Sequence, residues 1–236
     1  MFTLDQVVPW GRSFDEYRRM FDLTDGDLQS TILGCGDGPA SFNAELTGRG
    51  GRVRSCDPIY QFEAAEIESR IAASFDQIVE QTKRNLDQFV WTRDIGSVEQ
   101  LAEVRMAAMR RFLDDYDSGR AAERYVTAAL PILPFADRSF DLALCSHFLF
   151  LYSAQFDEAF HDAAIREMCR VAAEVRIFPL LALDGTRSPF VDPCTAHLRA
   201  SGCEASIETV AYEFQRGGNQ MLRVRPRLGT TRGDTV

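Results

Sequence analysis

Three glycines within five residues, Gly34, Gly36 and Gly38, are the feature that most constrains how this 236-residue chain can fold. They follow the short apolar run 31–33, which predicts a buried strand, and they precede a segment that predicts a helix. Glycine permits a sharp backbone turn and leaves a surface without side chains. The pattern therefore predicts a strand-to-helix turn where a large flat or charged ligand lies against main-chain atoms.

An acidic residue, Asp57, lies about 20 residues beyond Gly36, at the end of a second predicted strand, 52–56. An acid at this spacing accepts hydrogen bonds from the ribose hydroxyls of a nucleotide-type ligand. A nicotinamide dinucleotide is one candidate, but its fingerprint requires a third glycine where this chain has Pro39. Asp57 alone is compatible with a nicotinamide dinucleotide and with other nucleotide-type cofactors. The choice between these cofactors depends on the Gly38-Pro39 pair and on later motifs.

The amino-acid composition limits both the class of protein and the kinds of partner that it can bind. The hydrophobic share of 45% and the charged share of 26% are typical of a soluble globular protein. The net charge of −9 argues against nucleic acid as the main substrate, because phosphate binding requires Lys and Arg. The sequence shows neither a membrane-spanning apolar run nor a signal peptide, so we expect a cytoplasmic protein that does not bind a membrane. Oligomeric state is left open.

Predicted strands alternate with helices along most of the chain, except for a long helical segment, 61–122, after the second strand. Gly217-Gly218 indicates a turn between the last two strands. We therefore predict an α/β fold with a Rossmann-like, seven-stranded, mostly parallel sheet, an antiparallel edge hairpin and a helical insertion that is well placed to be a lid. Residues 1–225 form one domain in this prediction, and 226–236 form a flexible tail. The predicted strands are 30–33, 52–56, 125–128, 141–145, 174–180, 205–214 and 221–224.

Six cysteines occur without CxxC pairs or zinc-like spacing, so no metal site is predicted. Cys35, Cys56 and Cys145 each fall at or near the end of a predicted strand. Buried, reduced thiols are the expected state, since free cysteine is among the most buried residue types. The alternative is a thiol cluster that binds a soft metalloid, which requires the three sulfur atoms to converge.

Four segments in order give the chain its family resemblance: Ile32-Leu-Gly-Cys-Gly-Asp-Gly38, Cys56-Asp57-Pro58, the run from Leu133 to His147, and Arg166-Glu-Met-Cys-Arg-Val171. Together they resemble the class I S-adenosylmethionine-dependent methyltransferases, and in particular bacterial members without an assigned substrate. The resemblance covers residues 30–60 and 125–225. It implies S-adenosylmethionine as the cofactor and methyl transfer as the activity.

The resemblance also implies roles for individual residues. The glycines, with Cys35 between them, bring the backbone close to the methionine portion, and Asp57 accepts hydrogen bonds from both ribose hydroxyls. Ser146 and His147 approach the methionine and the methyl group. The resemblance further implies that Pro58 or Ile59 packs on the adenine and that Ala129 and Leu130 line its other face. Arg12 and Tyr17 lie on a predicted N-terminal helix, 11–23, from which they could reach the carboxylate of the cofactor.

The acceptor is less constrained than the cofactor. The amino-group signature that many relatives carry after strand four is absent, because this chain has Cys145-Ser-His-Phe148 there, which favours a small-molecule acceptor over DNA or protein. His147 is a candidate general base, because a neutral imidazole accepts protons near pH 7, or else a packing residue. Three other functions stay open: an NAD-dependent oxidoreductase, a non-catalytic S-adenosylmethionine-binding or interaction protein, and a thiol-dependent metalloid methyltransferase.

Overall fold

The computed structural model describes residues 7–227, so most of the predicted tail lies outside the described residues. The strands are β1 (Thr31–Cys35), β2 (Arg52–Cys56), β3 (Tyr125–Val126), β4 (Phe140–Ser146), β5 (Ala172–Phe178), β6 (Glu204–Thr209) and β7 (Gln220–Arg225). The α-helices are α1 (Phe14–Met20), α2 (Phe42–Gly48), α3 (Ala64–Arg84), α4 (Val98–Ala121), α5 (Glu158–Val171) and α6 (Val191–Ala200).

The strands form one seven-stranded sheet in the order β3-β2-β1-β4-β5-β7-β6, which confirms the predicted fold class. The first five strands are parallel, and β7 is antiparallel to both β5 and β6. Two details differ from the sequence prediction. Strand β3 stops at Val126, and β6 stops at Thr209, so that residues 210–219 form a longer connection instead of a short hairpin turn.

The strand order reverses at β1, because β2 and β3 lie on one side of it and β4 and β5 on the other. Such a reversal leaves a crevice beyond the carboxyl ends of the strands, and α/β sheets bind their ligands there. The glycine turn follows β1 directly, and Ser146 ends β4 beside it. The topology therefore brings the predicted site residues to one edge of the sheet.

Alternating side chains of the strands supply a core on each face of the sheet. Ile32 of β1 packs with α1 and α2, whereas the next residue, Leu33, packs with α5 and α6 on the opposite face. Strands β1 and β4 are buried in this way over most of their length, which explains their mostly apolar character. Among residues 7–227, no helix has the length and apolar character that a membrane span requires.

Helices α3 and α4 form the predicted insertion and carry a small core of their own around Tyr60, Phe112 and Tyr116. The segment between them is tied to the 210–219 connection. The backbone N–H of Val90 donates to the carbonyl oxygen of Phe214 at 2.7 Å, and the Arg216 side chain donates to the carbonyl oxygens of Asp87 and Phe89. These bonds hold the insertion over the carboxyl edge of the sheet.

Candidate active site

Two cavities adjoin at the carboxyl edge, the first of about 130 Å³ and the second of about 640 Å³. Gly36, Gly38 and Asp57 line both cavities, so together the cavities form one cleft across the glycine turn. Most of the predicted cofactor contacts line this cleft. Arg12, Tyr17, Ser146 and His147 line the first cavity, and Pro58, Ile59, Ala129 and Leu130 line the second.

The glycine turn has the conformation that its sequence indicated. Gly36 and Gly38 have φ values of +66° and +52°, in the left-handed region that favours glycine. A Cβ atom at Gly36 would also approach the Phe148 ring to 2.9 Å. Gly34 has a different role, because the Asp37 carboxylate occupies the space where its Cβ atom would lie. Gly34 and the fully buried Cys35 line neither cavity.

Asp57 lies at the junction of the two cavities, where the protein holds both of its carboxylate oxygens. Its Oδ2 accepts a hydrogen bond from the Gly38 N–H at 2.9 Å, and its Oδ1 accepts one from the Ile59 N–H at 2.8 Å. Burial raises the Asp57 pKa to about 6, so the group is ionised at pH 7. A carboxylate accepts about four hydrogen bonds, which leaves capacity for two ligand hydroxyls.

A second carboxylate in the cleft, Asp37, was not singled out from the sequence although it lies inside the glycine motif. It is buried, and it accepts hydrogen bonds from the Tyr17 hydroxyl at 2.8 Å and the Ser55 hydroxyl at 2.6 Å. Burial raises its pKa to about 6, and the negative charge of Asp57 contributes in the same direction. Tyr17 therefore orients Asp37 while both residues line the first cavity.

Arg12 brings a positive charge to the first cavity and forms no salt bridge within residues 7–227, although the charge of Glu16, which pairs with Arg105, attracts it. It precedes α1, whose N-cap is Ser13, so it does not lie on the helix as the sequence predicted. Its side chain donates to the Trp10 carbonyl oxygen, and its buried Nε has no hydrogen-bond partner among residues 7–227. Burial, and then the positive charge of Arg105, lower its pKa to about 10, so it stays protonated at pH 7.

Arg105 belongs to a buried charge network that the sequence did not reveal. From α4 it forms an ion pair with Glu16 on α1, and Glu16 also accepts a hydrogen bond from the Tyr212 hydroxyl at 2.7 Å. Burial alone would raise the Glu16 pKa, but the charge and hydrogen bond of Arg105, the charge of Arg12 and the Ser13 N–H together outweigh burial and lower the pKa to about 2. The buried Arg105 and the half-buried Arg12 thus share one carboxylate, so this side of the cleft carries an excess positive charge.

His147 follows β4 in a left-handed backbone conformation with φ of +52°. Its N–H donates to the Phe178 carbonyl oxygen at 2.7 Å, and its Nδ1 lies 2.9 Å from the Ser146 hydroxyl. Burial, followed by the positive charges of Arg12 and Arg105, lowers its pKa well below the usual value. The imidazole is therefore neutral at pH 7, and within residues 7–227 its Nε2 has no hydrogen-bond partner.

The second cavity has apolar wall residues suited to a flat ring, and Arg70 and Gln77 also line it. Because β3 ends at Val126, Ala129 and Leu130 lie in a loop, and they line this cavity together with Ile59. Three further residues that the sequence did not indicate as site residues line the cavity: Phe148, Phe156 and Phe160. Phe148 and Phe156 contact each other in a T-shaped arrangement at 5.5 Å.

The strand-end cysteines are neighbours in the sheet. Cys35 is opposite Cys56 in the register of β1 and β2, and Cys145 follows Leu144, which pairs with Gly34 of β1. All three thiols are free and buried, and a hydrogen bond to Cys56 together with burial raises the Cys35 pKa well above its usual value. Within residues 7–227, no group of three Cys, His, Asp or Glu side chains is arranged to hold a metal ion.

Comparisons with known proteins identify one clear relative. No family model matches the chain. Uncharacterized protein MJ0045 of Methanocaldococcus jannaschii is 34% identical over 225 residues, which cover 94% of this chain and 98% of that protein. It is archaeal, so the bacterial assignment stays a prediction.

Solved structures with similar folds include the magnesium protoporphyrin IX methyltransferase ChlM of Synechocystis PCC 6803 with bound SAM, at 11% identity and a TM-score of 0.46 over 91% of each chain. A SAM-dependent methyltransferase of Thermotoga maritima, titled a possible histamine N-methyltransferase, aligns at 12% identity and a TM-score of 0.44 over 90% of this chain and 87% of that one. Scores below 0.5 establish no relationship, so the fold assignment rests on the strand order. The sequence identity to the archaeal protein is decisive: the chain belongs to the family of Methanocaldococcus jannaschii MJ0045.

Proposed function

We propose that this protein transfers a methyl group from S-adenosylmethionine to a small-molecule acceptor. One observation carries the proposal: a single cleft over a glycine turn holds Asp57, with spare acceptor capacity, and Arg12, a cation that forms no salt bridge within residues 7–227 and whose buried Nε has no hydrogen-bond partner there. The cofactor has ribose hydroxyls that match the first group and a carboxylate that matches the second. The insertion 61–122 is then the lid of a single domain, 1–225.

The remaining groups of the cleft fit the other parts of this cofactor. The adenine lies in the second cavity, between Ile59 and Leu130, where apolar walls favour a flat ring. The ammonium group of the methionine portion matches the buried carboxylate of Asp37, which Tyr17 holds in place. Gly36 and Gly38 leave room for the chain that connects these parts. The carboxylate and the ammonium group of the cofactor therefore each have a protein group of opposite charge along the cleft, Arg12 and Asp37.

The bound cofactor supplies a methyl group on a positively charged sulfur: an acceptor lone pair forms the new bond to carbon while the carbon–sulfur bond pair returns to sulfur. The protein's main contribution is to hold the reacting atoms in line, since positioning lowers the barrier by several kcal/mol. The acceptor becomes a strong acid as the new bond forms, so a weak base suffices to remove its proton. His147, neutral and free at Nε2, accepts this proton and passes it to water.

Calorimetric titration of the protein with S-adenosylmethionine, S-adenosylhomocysteine and NAD tests the cofactor. We expect heat of binding with both sulfur ligands and none with NAD, because Pro39 replaces the glycine that the dinucleotide fingerprint requires. Binding of NAD alone would favour the oxidoreductase alternative and contradict this proposal.

Incubation with a methyl-labelled cofactor and pooled metabolites tests catalysis separately. We expect label in a low-molecular-weight product. Tight cofactor binding without label transfer to any small molecule would favour the non-catalytic alternative, in which the insertion is a surface for a partner. Transfer only to a protein or nucleic acid fraction would overturn the small-molecule assignment.

A further inference from the structure

The first cavity continues beyond His147 into a region that the cofactor contacts do not use. We name this region the acceptor chamber. Its walls come from separate parts of the chain: Ile78 and Leu101 from the insertion, Leu183 from the loop after β5, and Phe214 from the 210–219 connection, with Trp10 from the N-terminal segment. The hydrogen bonds between the insertion and residues 214–216 hold these walls together.

The polar side chains of the acceptor chamber are already engaged with the protein. The Tyr152 hydroxyl accepts a hydrogen bond from the Val8 N–H at 3.3 Å, and the Thr82 hydroxyl donates to the Ile78 carbonyl oxygen at 2.9 Å. Gln215 Nε2 donates to the Ala182 carbonyl oxygen at 3.2 Å. These hydrogen bonds hold the three side chains in place, and none of the three carries a charge that could balance the charge of a bound molecule.

Within residues 7–227, the side chains that line the first cavity and are charged at pH 7 are Arg12, Asp37 and Asp57, and all three match the cofactor, whereas His147 is neutral. A charged acceptor would consequently enter the chamber without a counter-charge. Burial of an unpaired charge costs several kcal/mol even after the protein relaxes. The chamber thus selects against carboxylates, phosphates and ammonium compounds.

The size and the walls of the cavity narrow the acceptor further. The whole first cavity has a volume of about 130 Å³, and an apolar cavity of about 150 Å³ accommodates one benzene molecule. The first cavity opens into the second, and the methionine end of the cofactor takes up part of the shared cleft, so a fused two-ring acceptor exceeds the space that remains. Aromatic faces surround it, since Phe89 and Phe214 stack at 4.9 Å and Trp10, Phe148 and Tyr152 complete the walls.

We propose that the acceptor is an uncharged aromatic compound of a single ring that carries one nucleophilic hydroxyl or thiol. This inference rests on the proposed function, because it assigns Arg12, Asp37 and Asp57 to the cofactor. The hydroxyl or thiol proton leaves through Nε2 of His147 as the new bond to the methyl carbon forms.

Ligand-observed saturation-transfer NMR on the protein saturated with S-adenosylhomocysteine tests the inference without depending on turnover. The probes are phenol, 4-hydroxybenzoate and 2-naphthol, which share the hydroxyl and differ in charge or ring number. We expect phenol to bind at least tenfold more tightly than either of the other two. Tighter binding of 4-hydroxybenzoate would assign Arg12 to the acceptor, and equal binding of 2-naphthol would contradict the size limit.

Two matched substitutions locate the binding. Leu183→Phe fills the acceptor chamber and should abolish phenol binding while the affinity for S-adenosylhomocysteine stays unchanged. Leu86→Phe makes the same change on an exposed residue, 48% accessible, and should alter neither. Normal S-adenosylhomocysteine binding without phenol binding to the wild-type protein would refute this inference alone. Failure to bind S-adenosylhomocysteine would refute the proposed function and the inference with it.

Discussion

Substitution of Asp57 by asparagine tests how the cleft recognises ribose. Asp57 uses one lone pair of each oxygen on the N–H groups of Gly38 and Ile59, and the rest remain for ligand hydroxyls. Asparagine has nearly the same shape, but its amide nitrogen cannot accept a hydrogen bond from an N–H group or a hydroxyl. The variant therefore loses a charge-assisted hydrogen bond to ribose without opening a cavity.

The magnitude follows from the kind of bond that is lost. A hydrogen bond to a charged group contributes about 1.5–3 kcal/mol, and about 1.4 kcal/mol corresponds to a tenfold change in affinity. We expect the Kd for S-adenosylhomocysteine to increase roughly 10- to 150-fold at pH 7, as measured by isothermal titration calorimetry. An unchanged Kd would refute the assignment of Asp57 to the ribose.

Asp141→Asn is the matched control for this substitution. Asp141 also accepts hydrogen bonds from a backbone N–H and a hydroxyl, both of Thr31, but it lies at the amino ends of the strands. Its substitution should leave the Kd unchanged. Equal loss of affinity in both variants would indicate a general effect on folding instead of a lost ribose contact.

The other charged groups give further predictions. Arg12→Met should weaken S-adenosylmethionine binding at least tenfold in calorimetry without lowering the melting temperature, because Arg12 forms no salt bridge within residues 7–227 and its repulsion from Arg105 exceeds its attraction to Glu16; a lower melting temperature would contradict this. Glu16→Gln should lower the free energy of unfolding in urea by about 3–5 kcal/mol, since it leaves Arg105 buried without its counter-charge; a change below about 1 kcal/mol would show that the pair is not important for stability. Cofactor affinity should fall as the pH is lowered from 7 to 5, because the carboxyls of Asp37 and Asp57, each with a pKa of about 6, become protonated and lose acceptor capacity; a flat pH series would exclude both from binding. His147→Gln should lower kcat while calorimetry shows normal cofactor affinity, and normal turnover would return His147 to a packing role.

Local patterns in the sequence were sufficient for the sheet and for the proximity of the glycine turn to Asp57. A buried strand, a glycine turn and an acid at the end of the next strand are each encoded within a few residues. The glycine turn follows β1 and Asp57 follows β2, so the parallel pairing of these two strands is enough to bring them together. The prediction of the seven-stranded sheet succeeded for the same reason, with its main errors where β3, β5 and β6 end earlier than predicted.

The features that the sequence did not reveal depend on contacts between distant segments. Arg105 and Glu16 are separated by 89 positions, and nothing in the α4 pattern distinguishes Arg105 from its exposed neighbours. In the sequence, Asp37 resembles an ordinary turn residue. Its different role follows only from the hydrogen bonds that the Tyr17 and Ser55 hydroxyls donate to it. The acceptor chamber forms only when the insertion docks through Arg216, so no single stretch of sequence contains it.

A crystal structure of the protein with S-adenosylhomocysteine tests the central claim most directly. We expect both ribose hydroxyls within hydrogen-bond distance of the Asp57 carboxylate, the ligand carboxylate on Arg12, and the adenine between Ile59 and Leu130. The sulfur atom should face the acceptor chamber beside His147. A ligand bound elsewhere, or one whose ribose contacts no part of Asp57, would contradict the account.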